Sequence, residues 1–115
     1  MTNYLKDYGH RLYYPGILSN NKDTNKERGE IISSLEMAGW TVITAQGLCR
    51  SLPKDDFKQQ MAYRTLVLAG CEAIFCVQAD GSSEQMWEKI AVAEMQEAHE
   101  LGLRFVEDVC ECPLD

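Results

Sequence analysis

The chain has 115 residues, 45% hydrophobic and 25% charged, which is enough for one domain with a real core and too few for two. Its net charge of −7 argues against nucleic-acid binding through a basic surface. No apolar run approaches bilayer length and the opening MTNYLKDYGH has no apolar signal core, so a cytoplasmic protein without membrane contact is expected.

The first ten residues read as a peripheral end, and the first strand is expected in RLYYPG (11–16). Thr24 with Glu27 three residues on forms a capping box. Ile31, Ile32, Leu35 and Ala38 then follow at helical spacing before Gly39 ends the helix. TVIT (41–44) is the second strand. A second helix is expected to start near Pro53, with Asp55 and Asp56 in its first turn and Phe57, Met61, Leu66 and Leu68 as its apolar positions. EAIFCV (72–77) is the third strand. The last helix ends at Leu101, where Gly102 suits the cap, and LRFV (103–106) is the fourth strand. The tail after Glu107 reads as peripheral, like the first ten residues.

Short branched and aromatic runs without clean alternation suit strands buried on both faces, and their alternation with helices predicts a parallel α/β sheet. The expected fold is a three-layer, doubly wound sheet of four to five strands in the order 2-1-3-4, Rossmann-like or flavodoxin-like. In such sheets ligands bind at the carboxyl ends of the strands, where the order reverses. The segments YYPGILSNNKDTN, AQGLCRSLPKDD and QADGSSEQMWE converge there.

The five cysteines (Cys49, Cys71, Cys76, Cys110 and Cys112) are an odd set without C-x-x-C spacing, as expected of free thiols. Cys71 and Cys76 read as small core hydrophobes, and CEC at 110–112 lacks the further ligands that would complete a metal site. No residue pattern calls for a cofactor.

One residue breaks the pattern of the last helix. Trp87, Ile90, Ala91, Ala98 and Leu101 form its apolar stripe, with Lys89, Gln96, His99 and Glu100 opposite, yet Glu94 lies in the middle of that stripe. Either this carboxylate faces a pocket, or it is buried and satisfied by Arg11, Arg64 or backbone groups.

The ordered set Leu12-Tyr13-Tyr14-Pro15-Gly16, Ala38-Gly39-Trp40-Thr41-Val42, Cys71-Glu72-Ala73-Ile74 and Glu94, Ala98, Leu101, Gly102 resembles the nucleoside 2-deoxyribosyltransferase-like superfamily, which includes small bacterial and phage domains. The resemblance implies Glu94 as the nucleophile, Tyr13 as the hydroxyl that orients it and Glu72 as the acid that assists the departing base. Residues implied at the ligand are Gly16, Asn20, Asp80, Ser82, Ser83, Trp87 and Glu88.

The resemblance therefore implies cleavage or transfer of the N-glycosidic bond of a small nucleoside or nucleotide, in a homodimer or larger homo-oligomer. The alternatives are a nucleotide-binding module that senses or sequesters its ligand without turnover, and a structural or interaction protein of the same fold. Where the family carries Ser or Asp six residues before its Glu and Gly four before it, this chain has Glu88 and Ile90. Monophosphates are therefore expected to bind no better than nucleosides.

Overall fold

A computed structural model describes residues 10–16, 21–45, 57–79 and 85–113. The elements run β1 (Arg11–Tyr13), α1 (Lys22–Met37), β2 (Thr41–Ile43), α2 (Phe57–Leu68), β3 (Ala73–Phe75), α3 (Met86–Leu101) and β4 (Arg104–Val106). All four strands are parallel, in the order β2-β1-β3-β4. This is the expected architecture, with the order reversing between β1 and β3. Among the described residues no helix is long and apolar enough to cross a membrane.

The strands bury both faces, each with its own side-chain set. Leu12, Tyr14, Ala73, Phe75 and Val106 point to one face, where Leu35 and Trp40 close the core and Ile31 and Ile32 of α1 pack against it. Tyr13 and Ile74 point to the other face, under Leu68 of α2 and Ala98 of α3. Register sets this division: Leu12 lies beside Val42 and Ala73, and Ile74 beside Phe105. Cys71 packs against the second cluster, and burial pushes its thiol up to about 11, so it behaves as a small hydrophobe.

Several boundaries differ from the sequence reading. β1 stops at Tyr13, because Pro15 has no N–H for a ladder and Gly16 turns to φ 89°. The cap of α1 is Asn21, not Thr24: the Asn21 Oδ1 accepts from the Asp23 N–H at 2.8 Å and the Thr24 N–H at 3.3 Å, so the helix begins at Lys22. The proposed start of the second helix at Pro53, Asp55 and Asp56 lies outside the described residues. Within α2, Leu66 is exposed while Arg64 and Leu68 are buried. Residue 66 is about 200° around the helix from either of them, so burying that pair turns Leu66 out. Leu101 is also exposed, at the very end of α3, where Gly102 (φ 76°) takes the chain into the left-handed turn that was expected.

The tail is not a loose end. The Trp40 Nε1–H donates to the Glu111 carbonyl at 2.8 Å, and the Arg104 Nη2–H to the Cys112 carbonyl at 3.1 Å. Glu111 Oε2 accepts the Glu107 and Asp108 amides at 2.7 and 2.9 Å. Val109 packs against the first core cluster. Residues 108–113 thus fold back over Trp40, which is 3% exposed.

Candidate functional site

At the carboxyl end of β1 the chain runs Tyr13-Tyr14-Pro15-Gly16, and alternation sends the two tyrosines to opposite faces. Tyr13 meets α2 and α3. Its hydroxyl donates to Glu94 Oε2. The other carboxylate oxygen, Oε1, accepts the Gly16 N–H at 2.7 Å. Arg64 Nη1, from α2, lies 3.2 Å from Glu94 Oε2, 3.2 Å from the Gly16 carbonyl and 3.5 Å from the Tyr13 hydroxyl. Gly16 is therefore held at both of its backbone polar groups, by the carboxylate at N–H and by the guanidinium at C=O.

Glu94 is 0% and Arg64 1% exposed. Burial pushes the Glu94 carboxyl above its ordinary value, and the Gly16 amide, the Tyr13 hydroxyl and Arg64 each pull it back. Burial and then the neighbouring carboxylate push the Tyr13 hydroxyl far above its ordinary range, so it stays a protonated donor. Of the two possibilities raised for Glu94, the structure shows the second: it is buried, outside the lining of the cavity at the strands' carboxyl ends, and satisfied by Arg64, the Gly16 amide and the Tyr13 hydroxyl.

Gly16 is required here. Its φ of 89° disfavours any side chain, and a Cβ would come 3.3 Å from the Trp87 carbonyl. Gly16→Ala should cost about 1–2 kcal/mol in backbone conformation alone. Urea unfolding would measure it, and an unchanged midpoint would mean the turn relaxes freely.

On the other face of the turn a cavity of about 320 Å³ opens, within the range of small-molecule sites. It draws on the ends of three strands: Tyr14 and Pro15 after β1, Cys76, Val77 and Gln78 after β3, and Glu107 after β4. The first turns of α1 supply Thr24, Asn25, Glu27 and Arg28, with Ile31 behind them, and the start of α3 supplies Trp87. This is the carboxyl edge at the point where strand order reverses.

Its floor is a stack. The Arg28 guanidinium lies 4.7 Å over the Tyr14 ring, and Tyr14 stacks on Phe75 at 5.7 Å with 11° between the planes. Arg28 Nη1 also donates to the Pro15 carbonyl at 3.3 Å.

The candidate residues do not all come together. Tyr13, Gly16 and Glu94 form the buried cluster, and Trp87 lines the cavity with its indole N–H on Gln85 Oε1 at 2.8 Å. Glu88 sits in the first turn of α3, half-buried and outside the cavity wall. Glu72 is at the wrong end. It precedes β3 at the amino edge of the sheet, half exposed, where its carboxylate accepts the His10 amide and lies 3.5 Å from His10 Nδ1. Asn20, Asp80, Ser82 and Ser83 lie outside the described residues. The segments expected to share one cavity, 16–24 and 78–87, do so through Thr24, Gln78 and Trp87 where they are described.

Arg28 was not singled out in the sequence, although 28, 31 and 35 fall on the buried stripe of α1. No protein-family model matches the chain, and no curated protein matches it.

Proposed function

We propose that this protein binds a small nucleoside-class ligand at the carboxyl edge of its sheet and does not turn it over, as a sensing or sequestering module. The carrying observation is the division of labour at the end of β1. The cavity at the switch point is walled by Trp87, Tyr14 and Arg28, while Glu94 is buried on the far side of the Pro15–Gly16 turn with Arg64 neutralising it. A carboxylate that is to stabilise an anomeric cation must meet the sugar and keep its negative charge for it. Glu94 has neither the exposure nor an uncommitted charge. Its place in this reading is to position the binding turn through Gly16.

The second reading is N-glycosidic bond cleavage or transfer with Glu94 as nucleophile. The Tyr13 hydroxyl on the Glu94 carboxyl favours it, since that is the orienting contact the family resemblance implies.

Titration calorimetry with the deoxynucleosides and their monophosphates, beside an assay for released base, tests both. The expected result is heat on binding with no base released. Glu94→Gln sharpens the test. An amide has one acceptor oxygen where the carboxylate uses two, so an NH₂ group must face either the Gly16 N–H or the Arg64–Tyr13 donors. At neutral pH this should lower stability by about 1–3 kcal/mol. Base release by the parent protein that vanishes in Glu94→Gln, with stability held, would instead establish the enzyme. No heat from any ligand would remove the binding reading.

A further inference from the structure

We propose that Arg28 is the anion-binding residue of the cavity, and that it makes a monophosphate the preferred form of the ligand. This inference rests on the binding reading above and reverses the expectation drawn from Glu88 and Ile90.

Arg28 is 8% exposed, and its Nη2 is a buried donor without a hydrogen-bond partner. A guanidinium presents five N–H donors in a fixed plane and stays charged in proteins. Only Nη1 has a protein acceptor among the described residues, the Pro15 carbonyl at 3.3 Å. Among the described residues no carboxylate lies within ion-pair distance of Arg28: the nearby Glu94 is paired with Arg64 at 3.2 Å. Among the described residues Arg28 thus stands at the end of β1 as a buried cation beside the cavity without an ion-pair partner. Burial pulls the Arg28 guanidinium below its ordinary value, the direction expected of a cation that lacks its counter-ion. A buried donor left unmade is costly, and an arriving acceptor removes that cost.

The cavity also carries Glu27 and Glu107, both exposed. Their charges are screened by solvent, while that of Arg28 is not, so the buried cation dominates what an entering group meets. Nη2 is covered in the structure, so a ligand oxygen reaches it through a small turn of the guanidinium in its own plane. Stacking over Tyr14 permits this turn, because it keeps the cation over the ring. A planar fork of donors suits a tetrahedral oxyanion. At 320 Å³ the space is small for anything larger than a mononucleotide.

The test uses the full chain and its tryptophan emission, in which Trp87 at the cavity responds over the background of Trp40, with calorimetry as a second readout. The probes are the deoxynucleosides, their 5′-monophosphates and inorganic phosphate, each against the parent protein, Arg28→Met and Arg28→Lys. For the parent protein, monophosphates should bind about ten- to a hundredfold more tightly than the matching nucleosides, the range of one charge-assisted contact. Added salt should weaken the monophosphates more than the nucleosides. Arg28→Met should erase the preference and leave nucleoside affinity within about threefold, and Arg28→Lys should keep part of it. Thermal melts of both variants check the fold, and the parent comparison needs no variant. Nucleosides binding as tightly as monophosphates would overturn this inference and leave the binding reading standing. Quenching by inorganic phosphate that is lost in Arg28→Met would support the anion site even if no nucleoside binds. Silence from every probe would overturn both.

Discussion

Arg64→Met is expected to lower stability by about 3–5 kcal/mol at neutral pH, because it strands the Glu94 carboxylate in a fully buried position. Methionine fills the volume of the arginine stem, so the loss reports charge more than packing. The pH dependence separates this from a simple cavity. Burial already holds the Glu94 carboxyl above its ordinary value of 4.5, and without Arg64 it must rise further. A carboxyl whose folded pKa is raised contributes stability below its unfolded pKa and loses that contribution as pH rises through the folded one. The gap between Arg64→Met and the parent should therefore narrow as pH falls from neutrality towards 4.5. Adding Glu94→Gln to Arg64→Met should recover part of the loss and flatten the pH dependence. Urea midpoints of the four proteins at several pH values measure all of this, and a deficit that ignores pH would assign the loss to packing alone.

Removing the chain from Asp108 onward is expected to cost about 2–4 kcal/mol, from the burial that Val109 and Trp40 lose and the indole hydrogen bond that goes with it. Trp40 is 3% exposed, covered by the first core cluster and by residues 108–113, with the Arg104 guanidinium 5.4 Å above its ring. The indole emission of the truncated chain should shift to the red in the native state. A truncation with an unchanged midpoint and unchanged emission would return the tail to the peripheral role that composition suggested.

Why the tail was misread is physical. Its sequence, DVCECPLD, is short, acidic and without period, which is the pattern of a solvated end. What orders it is a set of contacts led by the Trp40 indole N–H and the Arg104 guanidinium, both distant or off-pattern in sequence, and no local pattern announces them. The sheet was legible for the opposite reason: each strand is a run of branched and aromatic residues between helix signals, and connection rules then leave few strand orders open.

Glu94 was legible because it interrupts a period, and Arg64 could be named as a partner only among several. The apolar residues of α2 spread around the helix, so the sequence names apolar positions there without a buried face. Leu66 and Leu68 cannot both face inward, and the buried cation decided between them. Glu72 shows the limit of resemblance. Its place before β3 already puts it at the amino edge of a parallel sheet, the edge opposite the one where such folds bind ligands. Arg28 could have been found by including charged residues in the stripe of α1, since 28, 31 and 35 share one face.

The hydrogen bond from Gly16 to Glu94 joins residues 78 positions apart. During synthesis, β1, α1, β2, α2 and β3 all leave the ribosome before Glu94 does. Until α3 docks, Glu94 is not in place to hold the turn after β1 or to pair with Arg64. The turn after β1 is thus completed by the last helix of the described chain, and an incomplete chain carries that turn without its Glu94 tether. In the mature protein the same tether means that the Gly16 amide can exchange its hydrogen only when α3 lifts from the sheet.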